Sequence, residues 1–307
     1  MTIKVLGHKS PDTDSTGSPL IWAWYLTEVK GTPAEAVLLG EPNTEAAFVL
    51  TRWNLTKPAI ITDVTAADTV VIVDTNNPAE LPPSINDANI IAIIDHHLLA
   101  GGIKTKSPID ITVRPLACTA TVMHDLIGAA DLARAPRAIK GAMLSCILSD
   151  TLQFRSPTTT PHDRAVAEAL AVDLGVDIPA FCAEMFAAKS DVSAFSDAAL
   201  LRMDSKEYEV AGKHLRVSVL ETTAPRVLLD RKAALMAAMP AVATEDGADQ
   251  VLLFIVDILN EEATLLVPNA LVKALAEASF GATVTGDTVV LPGIMSRKKQ
   301  IIPALKL

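Results

Sequence analysis

The sequence predicts a two-domain α/β protein, with a mainly parallel, doubly wound sheet in the N-terminal domain and a second, smaller α/β domain after it. Three observations carry this expectation. The chain has 307 residues, twice the ~150 of an average domain. Its first half alternates short β-branched runs with helical patterns, the rhythm of right-handed βαβ units in a sheet covered on both faces. After a polar stretch near residue 190 a separate set of strands and helices begins.

The runs Ile3–Gly7, Ala36–Leu39, Val70–Asp74 and Ile90–Asp95 read as strands, with helices at Ser18–Val29 and Thr44–Trp53 between them. From Ala117 to Ala188 the pattern turns helical, with candidates at Thr119–Ile127, Arg137–Leu148, Asp163–Leu174 and Ile178–Phe186. Lys189–Ser193 is polar and weakly periodic, and reads as a linker between a domain over residues 1–188 and one over 194–307. The second domain offers strands at Leu215–Leu220, Gln250–Leu259, Ala263–Val267 and Thr288–Leu291, and helices at Arg226–Ala238 and Asn269–Ser279.

Composition excludes several classes. Apolar runs such as Val251–Val256 are short and flanked by Asp249 and Asp257, far below the ~20 residues needed to span a bilayer. The opening MTIKVLGHKS reads as a strand entering a polar loop, without the apolar core of a signal peptide, so a cytoplasmic location is expected. Cys118, Cys146 and Cys182 are odd in number and widely spaced, which suggests buried or incidental thiols rather than a disulfide framework or a thiolate metal site. The formal net charge is −10, from 26 basic and 36 acidic residues, and aromatics make up 4%. That balance suits neither a nucleic-acid backbone nor base stacking. Any phosphate must be met by a few local basic residues or by metal ions.

Polar groups gather where the predicted strands end, and ligands of open α/β sheets collect at those ends. Gly7-His8-Lys9-Ser10-Pro11-Asp12-Thr13-Asp14-Ser15 follows the first strand; Pro11 disfavours helix at Ser10, which places His8, Asp12 and Asp14 on a loop. Asp12 and Asp14 could equally be helix caps. Asp74 closes Val71-Ile72-Val73, and Asp95-His96-His97 closes Ile90–Ile94. Asp150 sits at a helix end, where the dipole disfavours an acid and a cation would compensate. His8, Asp12, Asp14, Asp74, His96 and Asp150 together supply two imidazoles and four carboxylates, whose −4 balances two divalent ions. Mixed nitrogen and oxygen donors suit Mn²⁺, Co²⁺ or Zn²⁺ better than Mg²⁺, and manganese or cobalt is expected.

In order and spacing, GHKSPDTDS, VDTNN, DHH at Asp95–His97, SDTL at Ser149–Leu152 and SRKKQ at Ser296–Gln300 resemble the motifs of the family II inorganic pyrophosphatases, a branch of the DHH phosphoesterase superfamily. The resemblance covers nearly the whole chain. It implies one metal at His8, Asp12, Asp74 and Asp150 and another at Asp14, Asp74, His96 and Asp150, with Asp74 and Asp150 bridging. It also implies substrate contacts from His97, Lys206, Arg297 and Lys298, orientation of the site by Asp95, additional Mg²⁺ arriving with pyrophosphate, and a homodimer. Without the resemblance, Lys206 reads as a solvated strand residue and Arg297-Lys298-Lys299 as a surface run. Many family members carry His after the bridging Asp and Glu two residues on, whereas Thr75 and Asn77 stand here, which bears on outer hydrogen bonds and metal preference.

The chemistry expected is attack on pyrophosphate by a hydroxide formed from water between two ions ~3.5–4 Å apart, with interdomain closure as a gate. A DHH phosphoesterase acting on short oligonucleotides, cyclic dinucleotides or polyphosphate is the alternative; such relatives typically carry a GGGH segment, and none is present. A non-catalytic phosphate or metal sensor on the same scaffold is a third reading, disfavoured by the complete ligand set.

Overall fold

The computed structural model describes residues 2–306, apart from the side chain of Lys298. The chain forms two compact units, one ending at Ala188 and the other starting at Lys189.

In the first unit β1 (Ile3–Leu6), β2 (Ala34–Leu38), β3 (Ala59–Ile60), β4 (Thr69–Val73), β5 (Asn89–Asp95) and β6 (Asp110–Val113) make one sheet, ordered β3-β2-β1-β4-β5-β6. Every neighbouring pair is parallel. Helices α1 (Thr13–Trp24) and α2 (Thr44–Arg52) serve as crossovers. The order reverses between β1 and β4, and the crevice beyond their carboxyl ends is where such sheets bind ligands. On one face Leu6, Val37, Val70, Ile72, Ile90 and Ile93 pack with Val64, Leu81 and Ile85. Each fully buried aliphatic side chain there stabilises the sheet by roughly 1.5–3 kcal/mol. The helices that follow are α3 (Thr119–Ile127), α4 (Ala129–Leu132), α5 (Arg137–Asp150), α6 (Pro161–Leu174) and α7 (Ile178–Lys189).

Helix α1 starts five residues before the expected Ser18. Asp12 caps it, its carboxylate accepting the Ser15 N–H at 2.9 Å, so Asp14 lies in the first helical turn rather than on a loop. Gly17, outside the expected helix, and Pro19, at its expected start, are both inside α1. Gly17 is there for space, since a Cβ would come within 2.4 Å of Cys146 Sγ on α5. After Trp24 the helix widens into one π-type turn, Tyr25–Val29.

The second unit contains α8 (Asp197–Met203), β7 (Ser205–Val210), β8 (Lys213–Thr222), α9 (Pro225–Leu229), α10 (Lys232–Glu245), β9 (Gln250–Asp257), β10 (Glu262–Leu266), α11 (Ala270–Phe280), β11 (Thr288–Pro292) and α12 (Ile302–Ala304). The sheet order is β11-β10-β9-β8-β7. Only β8 and β9 run parallel, because α9 and α10 cross over between them. The other pairs are antiparallel. All of β9 is buried, and its two-residue period feeds two cores. Leu252, Phe254 and Val256 face Val272 and Leu275 of α11; Val251, Leu253 and Ile255 face Leu200 of α8 and Leu235 and Met239 of α10. The single helix expected over Arg226–Ala238 is instead two. The chain turns at Asp230-Arg231, where the Arg231 guanidinium binds the Asp197 carboxylate at 2.7 Å and the carbonyls of Val192 and Phe195.

Candidate metal centre

Beyond the carboxyl end of β1, Gly7 brings the chain against α1; a Cβ there would lie 2.0 Å from Ser15 Oγ, which accepts the His8 N–H at 2.7 Å. His8 Nε2 then lies 3.7 Å from Asp12 Oδ2 and 3.6 Å from Asp74 Oδ2. Asp74, just past β4, is 1% exposed and has φ +59°, a left-handed conformation that Asp tolerates better than most residues. Its Oδ1 is 3.5 Å from His96 Nε2. Donor atoms about 2.1 Å from a shared ion sit ~3–3.5 Å apart, close to these spacings.

His96 Nδ1 faces the Leu116 carbonyl at 3.1 Å, which fixes the proton on Nδ1 and leaves Nε2 as a donor to the site. Asp14 is as buried as Asp74. It accepts from Ser18 Oγ at 2.6 Å, Thr119 N–H at 2.7 Å and the Cys118 thiol at 3.1 Å. Thr119 also donates its hydroxyl to Asp74 Oδ1 at 3.0 Å. Asp150, the last residue of α5, keeps Oδ2 enclosed without a hydrogen-bond partner among the described residues.

The six predicted ligands come together. Potential ligand atoms of His8, Asp12 and Asp74 lie within 4.8 Å of one another, as do those of Asp14, His96 and Asp150, while Asp74, His96 and His97 form a third group joining the two. The electrostatics call for cations. Burial, together with the charges of Asp14, Asp12 and Asp150, pushes the Asp74 carboxyl far above the ordinary range. Burial and the charges of Asp14 and Asp12 do the same to Asp150. Four carboxylates this close ionise together only if positive charge is added, and an enclosed carboxylate oxygen with no donor offers a place for it. The residues present therefore fit two divalent ions. The thiols do not take part: burial and the aspartates raise Cys118 and Cys146 well above the usual thiol range, and all three cysteines are free and buried.

Asp95 is fully buried under His97. It accepts the N–H groups of His96 and His97 at 2.7 and 3.1 Å, His97 Nδ1 at 2.9 Å and Asn76 Nδ2 at 2.5 Å. Burial opposes ionisation of Asp95, but these donors outweigh it and its pKa falls; the Asp95 hydrogen bond raises His97. The His97 side chain stays half exposed and, with His8, Lys9, Ser10, Ala79 and Glu80, lines a cleft of about 430 Å³. Thr75 turns its hydroxyl to Glu80 Oε2 at 2.6 Å, and Asn77 caps the short turn Pro78–Glu80.

Within the second unit Lys206 on β7 and Arg297 line one cleft of about 500 Å³, with Asp204, Tyr208, Glu221 and Ser296. Arg297 donates to the Asp204 carbonyl and carboxylate, both at 2.7 Å. The side chain of Lys298 lies outside the described residues.

Sequence reasoning missed Thr119, Glu80 and Glu45. Glu45 is completely buried and its Oε2 accepts from Thr13 Oγ1 at 2.9 Å and Ser149 Oγ at 2.7 Å. Thr13 stands between Asp12 and Asp14, and Ser149 precedes Asp150, so Glu45 braces the backbone beneath three predicted ligands.

A doubly wound sheet carrying four acids and a His pair around its switch point defines a phosphohydrolase of the DHH class, and the domain models agree. The DHH family N-terminal domain matches residues 2–149 and the DHHA2 domain matches residues 183–307. A Deinococcus radiodurans protein named "Probable manganese-dependent inorganic pyrophosphatase" is 40% identical over 99% of this chain and 98% of its own length. An Enterococcus faecalis protein of the same name is 35% identical over 99% and 97%. A solved Methanococcus jannaschii structure, described as a "putative family II inorganic pyrophosphatase", superposes with a TM-score of 0.61 at 31% identity, covering 99% of this chain and 98% of that one. A Bacteroides fragilis exopolyphosphatase-related protein shares the fold at 13% identity, with a TM-score of 0.52 over 98% and 89% of the two chains. The chain belongs to the family II, manganese-dependent inorganic pyrophosphatases.

Proposed function

We propose that this chain hydrolyses inorganic pyrophosphate to two phosphates with two divalent ions held by His8, Asp12, Asp14, Asp74, His96 and Asp150. The observation that carries the reading is the gathering of four carboxylates, one of which, Asp150, keeps its Oδ2 enclosed with no hydrogen-bond partner among the described residues. When bound, the ions supply Lewis acidity and a water acidified toward neutral pH. Asp74 and Asp150, placed among the other acids, would serve both ions. Manganese is the metal named for the relatives, and the donor set suits it or Co²⁺; Mg²⁺ would accompany the substrate.

The chain's own groups do the rest. Asp95 pins His97 Nδ1, so the other ring nitrogen is free to hold a proton toward a phosphate oxygen. Lys206 and Arg297, with Lys298, add positive charge for the polyanion, and Arg297 offers two parallel donors. Its Nη1 and Nη2 donate to the Asp204 carbonyl and carboxylate. The formal charge of −10 supports a small substrate over nucleic acid. A homodimer in the cytoplasm is part of the same proposal, and none of the described helices is long and apolar enough to cross a membrane.

Substitutions separate the roles. Lys298→Ala is expected to slow phosphate release at least ~100-fold with manganese content intact, the pattern for charge that acts at the transition state. Asp74→Asn is expected to lose bound manganese. A Lys298→Ala chain that sheds its metal, or an Asp74→Asn chain that keeps two ions, would overturn these assignments.

A further inference from the structure

We propose that His124, Asp125 and His162 form a separate surface site for one borderline transition ion such as Zn²⁺, Ni²⁺ or Cu²⁺. The three come from two helices. His124 and Asp125 occupy the last turns of α3, and His162 lies in the first turn of α6. Asp125 Oδ1 stands between the rings, 2.8 Å from His162 Nε2 and 3.4 Å from His124 Nδ1, and all three potential ligand atoms lie within 4.8 Å of one another. Ligands on a tetrahedral ion with bonds of about 2.0–2.2 Å lie ~3.3–3.5 Å apart, so small rotations of exposed side chains suffice.

Two further features prepare the site. Arg114 NH1 holds the other Asp125 oxygen at 2.7 Å, which aims Oδ1 at the imidazoles, as an outer partner of a ligating carboxylate does. Thr160 and Asp163 form a reciprocal capping box with Pro161 at the helix start, fixing the backbone that carries His162. The imidazole pair is tilted at 72° with ring centroids 6.4 Å apart. The last turn of α3 places negative carbonyl ends beside the cation. Two nitrogens and one oxygen, without the four-carboxylate charge of the main centre, favour Zn²⁺, Ni²⁺ or Cu²⁺ over Mn²⁺ by the general affinity order. The Arg114 charge keeps the affinity below that of the main centre.

The test uses the manganese-loaded chain. Zn²⁺ is added in equilibrium dialysis, bound zinc and retained manganese are both counted, and the thermal midpoint is recorded. The expected result is one zinc per chain beyond any that replaces manganese, with a raised midpoint. His162→Ala and His124→Ala should each weaken that uptake at least ~10-fold, the loss that outer partners alone produce, and abolish the zinc-induced shift. Asp125→Asn serves as a third variant, and phosphate release without zinc should stay at the wild-type level in all three. Equal zinc uptake by wild type and the histidine variants, or zinc bound only as manganese leaves, would overturn the assignment.

Discussion

Thr119 donates to two aspartates at once, its hydroxyl to Asp74 and its N–H to Asp14, and so ties together the two halves of the proposed metal centre. Replacing it with Val keeps the shape and the N–H but removes the hydroxyl. Manganese affinity should then fall about 10–100-fold, the usual range for an outer partner, whereas Thr119→Ser should stay near wild type; equal affinity in the Val variant would contradict a positioning role. Glu45 acts one layer further out. Glu45→Ala leaves the buried hydroxyls of Thr13 and Ser149 without their acceptor, at about 1–3 kcal/mol per orphaned group. Denaturant unfolding of the metal-free chain measures that loss, and Glu45→Gln, which retains an oxygen, should lose less. Asp74, Asp95, His96 and His97 were legible as candidates because they stand where hydrophobic strands stop, His8, Asp12 and Asp14 because they cluster just after the first strand, and Asp150 because it closes a helix whose dipole disfavours an acid. Thr119 and Glu45 were not: their bonds to Asp14 and Ser149 cross 105 and 104 residues, and a Thr or Glu on a helix carries no local signal of such a partner.

Helix α1 shows how close packing overrides local propensity. Gly17 has a low intrinsic helix propensity, yet the cap at Asp12 and the tight approach to Cys146 start the helix ahead of it. Gly17→Ala should destabilise the chain by ~1–3 kcal/mol through overpacking, and Cys146→Ala should restore part of that loss in a double-mutant cycle. A second element-scale contact ties β1 to the turn before β4. Lys4 Nζ lies 2.6 Å from Asp68 Oδ1, and its hydrogen bond, with those from Thr65, lowers the Asp68 carboxyl to about 2. A folded pKa below the unfolded one gives stability that is present above about pH 4 and fades as pH falls toward 2. Asp68→Asn should therefore cost at most ~1 kcal/mol at pH 7, the scale of a pair near solvent, and nothing near pH 2; a difference that persisted at pH 2 would point to packing instead. The long β-branched strands announced themselves. Two-residue β3 and the exposed β6 and β7 did not, because a short or solvated edge strand carries little hydrophobic alternation. The turn at Arg231 rests on the distant Asp197 and was equally hidden.

At the scale of the whole chain, the alternation of strand and helix foretold the doubly wound sheet, and with it the crevice between β1 and β4 where the acids meet. The mixed sheet of the second unit was less legible, since hydrophobic pattern specifies which strands are buried but not that only β8 and β9 pair in parallel. The acidic composition, adverse for a polyanion, becomes coherent under the proposed reading, in which metal neutralises four of the carboxylates; Lys206 and Arg297 share one cleft. All of this rests on the carboxylate cluster being a cation site that enables hydrolysis. The most direct measurement is phosphate release from pyrophosphate by the chelator-stripped chain as Mn²⁺ is returned. The account predicts negligible release without metal and a rise to a plateau as two ions bind per chain; release that is indifferent to chelation, or a manganese-saturated chain that leaves pyrophosphate intact, would contradict it.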